Sequence, residues 1–404
     1  MRIIHMADAH LDTPFYGREE EMRRKLREAT RQAFGAVAGE AINRHVDGLL
    51  IAGDLFDNEL LSFTTERFLL EQMWRLREAR IPVYYATGNH DPGRTNYRAR
   101  HLGWPDNVHL FTGTTPRTVP VGETGWLTAA GHSTAREETD LASRFGPVRG
   151  DRPHVALLHT QVMSARGADL HDRYAPCSRS DLEELPFDYW ALGHIHVRQR
   201  VFDDLPAWYA GNLQGRNPRE TGPKGALYVE IEKGIPPEPE FLPLAPVVWD
   251  SIHLDCPETP RTLDELTRSL GSLLKERLDL EEGREHLVRV DLGGQSHLAR
   301  ELSIEGNLEE LSELLRVELS VDWLELRPRD IVRPVPLEEY RGSATVLGKA
   351  LELIERARAD DELLKRLGPE ELASRPGDRV EYLRSLLERG GRDLASVLVP
   401  GGER

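Results

Sequence analysis

Cysteine is nearly missing from this 404-residue chain, which has only Cys177 and Cys256. Two thiols cannot build the disulfide framework of a small secreted scaffold, and reduced, structural cysteines suit the cytoplasm. Long hydrophobic runs are missing too. None approaches the ~18 apolar residues that a membrane helix needs, so no membrane role is expected. A cleaved leader is not expected, because Met1-Arg-Ile-Ile-His-Met-Ala-Asp8 reads as a first strand running into a site. An excess of positive charge is also absent. The net charge is −16, which argues against a simple nucleic-acid-binding module. The acid is spread as −6 over residues 1–250, −8 over 251–335 and −2 over 336–404.

What remains is an ordinary globular balance, with 39% hydrophobic and 30% charged residues and length for two or three domains. Over the first 235 residues, short apolar runs alternate with amphipathic stretches. Strands are expected at Arg2–Ala7, Gly48–Ala52, Pro82–Thr87, Trp126–Ala130, His154–Leu158 and Tyr189–Leu192. Helices are expected at Glu19–Asn43 and Leu61–Glu78. Ala207–Ala210 and Ala226–Ile231 read as an antiparallel continuation. The pattern predicts an α/β domain with layered sheets over 1–245. A Pro-rich stretch from Gly234 to Pro246 then breaks the chain. Residues 246–335 read strand–helix–strand–helix–strand, a small α/β capping domain. Residues 336–404 read as a helical tail, with Leu347, Leu351 and Ile354 at 3–4 spacing.

Five motifs follow apolar runs, where the carboxyl ends of strands gather ligands in α/β sheets. Asp8 and His10 alternate after the first strand and can face one ion. Gly53-Asp54-Leu-Phe-Asp57 follows the second, and the two oxygens of Asp54 could bridge two metals. Asn89, in Gly88-Asn89-His90-Asp91, offers a neutral amide oxygen, and His90 beside it could serve a leaving group. His159 ends a buried run. Gly193-His194-Ile-His196 presents two imidazoles at i and i+2. Each motif alone has a bland reading, such as a turn former or a core histidine. Together they make seven ligands that divide into two sets of four when Asp54 is shared. Imidazole, carboxylate and amide donors suit manganese, iron or zinc.

In this order the motifs resemble the calcineurin-like metallophosphoesterase superfamily. The opening HMADAHLDTPF and the later GNLQGRNPRETGPKG (Gly211–Gly225) are similar to the SbcD-type DNA repair exonucleases, especially their YhaO-like branch. The resemblance covers roughly residues 1–235 and is architectural beyond. It implies a layered α/β/β/α sandwich carrying two divalent metal ions, by preference manganese. One metal would take Asp8, His10, Asp54 and His196, and the other Asp54, Asn89, His159 and His194. His90 would be the catalytic histidine. Some nucleases of the family carry histidine where this chain has Asp57. The aspartate is similar to the Asp–His dyad of serine/threonine phosphatases, so Asp57 is expected to hold and charge His90. The family implies DNA as substrate, an SbcC-like coiled-coil ATPase gripped by the tail, and room for a homodimer.

Other residues carry less. Gly342–Ala350 imitates a P-loop, but its glycines are one residue too far apart and Ala350 stands where Ser or Thr should be. Any ATPase must therefore be a partner. His132 ends another strand and is a candidate either to line the site or to support it from behind as a structural residue. Arg216 and Arg219 are candidate phosphate contacts. His5 is expected in the core. Against the DNA nuclease stand two alternatives: a phosphodiesterase or phosphatase acting on a smaller or protein substrate, and a non-catalytic scaffold of an ATPase complex.

Overall fold

A computed structural model describes all residues except 58–60, 95–99, 147–149, 171, 279, 281–282, 367–378 and 399–404. The chain divides into two compact units, one of Met1–Asp250 with Leu280–Leu287 and one of Ser251–Asp279 with Val288–Arg404.

The first unit is a mixed α/β fold. Its elements are β1 (Arg2–Met6), α1 (Glu20–Asn43), β2 (Gly48–Ala52), α2 (Phe63–Glu78), β3 (Val83–Ala86), β4 (Val108–Phe111), β5 (Arg117–Val121), β6 (Gly125–Ala129), β7 (His154–His159), α3 (Arg179–Glu183), β8 (Tyr189–Gly193), β9 (Gln199–Arg200), β10 (Ala207–Tyr209), β11 (Ala226–Glu230) and β12 (Glu240–Leu242). They form two six-stranded sheets, ordered β12-β11-β1-β2-β3-β4 and β5-β6-β7-β8-β10-β9.

Period-two alternation decides the layers. In β1, Ile3 faces the second sheet while Ile4 and Met6 face helices, because successive strand side chains point to opposite faces. Ile3, Leu50, Ala52 and Tyr84 meet Leu127, Val155, Leu157, Tyr189 and Ala191 between the sheets. Ile4, Leu49, Ile51 and Tyr85 meet Phe34 and Val37 of α1 and Leu69 and Met73 of α2. On the far side Ala156, Leu158, Trp190 and Leu192 meet Leu141, Phe145, Leu182 and Phe187. Strands buried on both faces are predominantly apolar, broken only by residues such as His5 in β1 and His154 and His159 in β7, which is why they stand out in the sequence.

Two readings change. Ala226–Glu230 does run antiparallel to β1. Ala207–Tyr209, in contrast, runs parallel to β8, because β9 takes the sheet edge and β10 fits between them. The edge strands β4 and β5 were not foreseen. Both are half-exposed, so their apolar signal is thin, and Pro120 sits in β5 as edge strands allow.

β13 (Val247–Cys256), β14 (Glu285–Gly294) and β15 (Trp323–Pro328) form a three-stranded sheet. Helices α4 (Leu263–Arg277) and α5 (Glu305–Leu319) bury Leu266, Leu270, Leu311 and Leu315 against Val288, Val290 and Leu292. Thr262 caps α4 by accepting from the Glu265 amide. Helices α6 (Leu337–Tyr340), α7 (Val346–Ala359), α8 (Asp361–Arg366) and α9 (Arg379–Leu398) follow. Residues 367–378 of the expected helical tail lie outside the described ones. Among the described residues no helix is long and apolar enough to cross a membrane.

Candidate metal centre

The carboxyl ends of β1, β2, β3, β7 and β8 converge. Asp8, Asp54, Asn89 and His194 follow the first, second, third and last of these strands, and His159 closes β7. The turn after β1 is tied to the turn after β2 by Asp8 N–H to Gly53 O (3.2 Å), His10 N–H to Asp54 O (2.9 Å) and Leu11 N–H to Leu55 O (2.9 Å). Asp8, His10 and Asp54 adopt φ near +50°, and His194 φ 104°. Non-glycine residues rarely visit this region, and such strain gathers at functional sites. Gly53 has φ 84°, and a Cβ there would lie 2.3 Å from His159 Nδ1. Only glycine lets the β2 turn and the β7 imidazole share this space.

Four histidines are each anchored on one ring nitrogen. His10 Nδ1 donates to Asp57 Oδ1 at 2.9 Å, and His196 Nδ1 to Glu220 Oε1 at 3.0 Å. His159 Nδ1 donates to the Ala52 carbonyl at 2.9 Å, and His194 Nε2 to the Asp172 carbonyl at 2.9 Å. Carboxylates and carbonyls only accept, so each anchor fixes the tautomer and turns the other nitrogen's lone pair inward. His10 Nε2 then faces His196 Nε2 at 3.2 Å. Across the centre, Asn89 Oδ1 lies 2.9 Å from His159 Nε2 and 3.2 Å from His194 Nδ1.

Charging the imidazoles does not resolve this. Burial, with a smaller push from Arg216, lowers His10 to about 3, and burial lowers His196 as well. Two neutral rings with facing lone pairs repel, and a shared cation turns that repulsion into attraction. The carboxylates point the same way. Burial, then the neighbouring Asp54 charge, pushes Asp8 well above the usual range. Burial would raise Asp54 too, but His159 and His90, the largest opposing influences, hold it below the ordinary carboxylate value. Asp54 Oδ2 sits 3.8 Å from His10 Nε2 and 3.5 Å from His159 Nε2, between the two groups of imidazoles. Ligand atoms of Asp8, His10 and His196 lie within 4.8 Å of one another, as do those of Asp8, Asp54 and His159. This donor set fits two divalent cations and has no thiolate.

A cleft of about 340 Å³ opens over the cluster, lined by Asp54, Asn89, His90, His194, His196 and Arg216, with Asp169, Leu170, Asp172 and Tyr174 also on its wall. Among the histidines of the cluster His90 is the most open, with 40% of its side chain exposed, and its Nδ1 lies 2.9 Å from Asp57 Oδ1. Burial opposes its charge, but Asp54 and the Asp57 hydrogen bond outweigh burial and push it up to about 9.

The other candidates separate. Arg216 reaches the cleft. Arg219 is exposed, is not on the cleft wall, and uses its backbone N–H on Asn217. His132 is not on the cleft wall. It is fully buried behind His159 and donates from Nε2 to that residue's carbonyl at 2.8 Å.

Three supports escaped sequence reading. Asp91 accepts from the backbone N–H groups of Leu55 (2.6 Å) and Gly88 (2.6 Å) and from the Tyr85 hydroxyl, cradling the Asp54 turn. Its place in GNHD was the available signal. Glu220 lies in the GNLQGRNPRE loop, and Asp172 acts through its backbone, which no residue pattern reveals.

The calcineurin-like phosphoesterase family profile matches residues 1–198. The metallophosphoesterase YhaO of Bacillus subtilis is 33% identical over 333 residues, covering 78% of this chain and 77% of that protein. The chain belongs to the calcineurin-like phosphoesterase family. As a family member it is a metal-dependent phosphoester hydrolase, and its clustered His and Asp side chains suit two divalent metals. The Archaeoglobus fulgidus DNA double-strand break repair protein Mre11 is 27% identical over 245 residues. It shares 54% of this chain, which spans about half (52%) of that protein's length. The Methanopyrus kandleri protein of the same name is 25% identical over 396 residues, covering 85% of this chain and 82% of that one.

Proposed function

We propose that the chain is a two-metal phosphodiesterase that cleaves DNA, as an exonuclease or endonuclease in repair. The observation that carries the chemistry is the 3.2 Å approach of His10 Nε2 and His196 Nε2, whose lone pairs need a cation. Asp8, His10, Asp54 and His196 would hold one ion, and Asp54, Asn89, His159 and His194 the other, with manganese preferred. When bound, the two cations supply Lewis acidity toward a phosphoryl oxygen.

The chain's own residues do the rest. Arg216 grips the phosphoryl group from the cleft wall. Hydrolysis adds a water oxygen to phosphorus as the bond to the departing oxygen breaks, and His90, charged and oriented by Asp57, donates a hydrogen bond or proton to that departing oxygen. Asp54 stays ionised, as a shared ligand must. DNA as substrate is supported by the likeness to the Mre11 repair proteins of two archaea. The layout proposed is a phosphoesterase domain over 1–245, a cap over 246–335, and a tail from 336 that binds an SbcC-like coiled-coil ATPase. A homodimer and a cytoplasmic setting accord with that assembly.

A second reading rests on charge. The net charge of −16 and the acidic wall at Asp169 and Asp172 suit a smaller phosphoester better than a long polyanion. The test is incubation with manganese and end-labelled single- and double-stranded DNA, beside Asp54→Ala and His90→Ala controls. Degradation lost in both variants establishes the nuclease. Cleavage of bis-para-nitrophenyl phosphate alone moves the substrate to a smaller ester. Inertness toward both, with metal bound, leaves the scaffold role.

A further inference from the structure

The loop Gly211–Gly225 contributes no metal ligand of its own, yet it folds against the centre through one side chain. Glu220 is largely buried, with 12% of its side chain exposed. A carboxylate withdrawn from water is costly unless its oxygens are satisfied. Both oxygens of Glu220 are. Oε1 accepts from His196 Nδ1 at 3.0 Å. Oε2 accepts from Asn212 Nδ2 at 2.8 Å and from the Arg216 backbone N–H at 2.7 Å. The loop is thereby closed on itself, and its start is fastened as well, since the Asn212 N–H donates to the His196 carbonyl at 3.3 Å.

The same carboxylate sets the direction of Arg216. Arg216 Nη2 lies 3.6 Å from Glu220 Oε1 and 3.4 Å from His196 Nδ1, which the shorter Glu220 bond keeps as a donor, and Nη1 lies 3.5 Å from Asp57 Oδ1. These distances are long for hydrogen bonds. The guanidinium is therefore steered by two flanking charges without its donors being saturated, and its Nε, buried, has no partner. Arg216 also lines the cleft, so its loosely held Nη donors, and not the buried Nε, are the ones open to an incoming phosphoryl group. Asp57 and Glu220 face each other across it, one bonded to His10 and the other to His196.

We propose that Glu220 is the positioning residue that couples the two halves of the site, fixing the tautomer of the ligand His196 and aiming Arg216 at the substrate phosphoryl group. This rests on the two-metal phosphodiesterase reading. Losing a carboxylate partner of a ligating histidine costs about 10- to 100-fold in metal affinity. Losing the loop closure frees Arg216, which weakens substrate capture separately. A merely structural Glu220 would lower stability and leave both quantities unchanged in the folded fraction.

The experiment uses the full chain with Glu220→Gln and Glu220→Asp. Gln keeps the shape and removes the charge, and Asp keeps the charge and withdraws it by one methylene. Three readouts are taken: Mn²⁺ titration of the metal-free protein by calorimetry, the ¹⁵N tautomer signature of His196 in the metal-free protein, and kcat and KM for bis-para-nitrophenyl phosphate at saturating Mn²⁺. Thermal melts confirm folding. Glu220→Gln is expected to bind one of its two Mn²⁺ ions about 10-fold or more weakly, to lose the single Nδ1–H tautomer of His196, and to raise KM. Glu220→Asp is expected to recover part of each. Folded variants with wild-type Mn²⁺ affinity and an unchanged His196 signature overturn the proposal. A wild-type protein that takes up no Mn²⁺ but keeps the His196 tautomer, lost in Glu220→Gln, would instead sink the metal reading and leave the positioning of His196 standing.

Discussion

A single oxygen, Asp57 Oδ1, lies 2.9 Å from the Nδ1 of His10 and 2.9 Å from the Nδ1 of His90. The two rings meet edge to face with centroids 4.8 Å apart. One carboxylate thus serves an inward-facing imidazole and an open one. From sequence alone, Asp57→Asn should lower turnover and leave metal content intact. The shared oxygen changes that expectation. Asp57→Asn should also weaken retention of one metal by about 10-fold, because an amide accepts more weakly from His10. Metal analysis after dialysis, run beside turnover, checks this. Full metal content with reduced turnover would confine Asp57 to His90.

In the metal-free protein His90 is raised to about 9 by Asp54 and Asp57 acting against burial. An NMR titration should place its midpoint well above 6.5, and Asp57→Asn should bring it down. The folded value lies above the unfolded one, so the stabilisation is fully present below about pH 6.5. It fades as pH rises toward 9. A midpoint near 6.5 in the metal-free wild type would contradict the Asp57–His90 pairing.

Asp91 should behave as a structural support. Asp91→Ala strands the buried N–H groups of Leu55 and Gly88, each costing roughly 1–3 kcal/mol. Urea unfolding is expected to show a loss of at least ~2 kcal/mol, with metal affinity reduced as the Asp54 turn loosens. Unchanged stability would mean that water takes over those donors.

Gly53→Ala places a methyl 2.3 Å from His159 Nδ1 at φ 84°. Backbone strain alone is worth about 1–3 kcal/mol. The ring must also leave the Ala52 carbonyl, so the ion proposed for Asp54, Asn89, His159 and His194 should be lost first. Mn²⁺ stoichiometry falling from two toward one is the expected result, and a stoichiometry of two would show that the turn relaxes.

Chelation should destabilise the first unit. Burial and the neighbouring Asp54 charge disfavour the ionised form of Asp8 when no cation is present to offset them. Ligand at 100 times its dissociation constant stabilises by about 2.7 kcal/mol per site. Thermal melts with and without EDTA should therefore separate by several degrees. Superimposable melts would mean that no ion is held.

The apolar strands were legible because both faces of each are buried, so Gly48–Ala52 and Tyr189–Gly193 carry no polar residue to blur them. Edge strands β4 and β5 were not, since half their side chains meet water and lose the pattern. Chemistry-bearing residues were legible where a residue type is rare after an apolar run, as at Asp8, Asp54 and His159. His132 stayed ambiguous because a strand-end histidine looks the same in sequence whether it lines a cleft or lies behind one.

By itself, then, the sequence determined which donors stand at the ends of which strands, through hydrophobic runs and the turns that stop them. It could not determine which nitrogen of each histidine faces inward. That was decided by Asp57, Glu220, Ala52 and Asp172, which approach from other parts of the chain and act through single hydrogen bonds. Local pattern encodes burial. A tautomer depends on the partner brought to within about 3 Å by tertiary packing, and two of those partners are backbone carbonyls, which carry no residue identity.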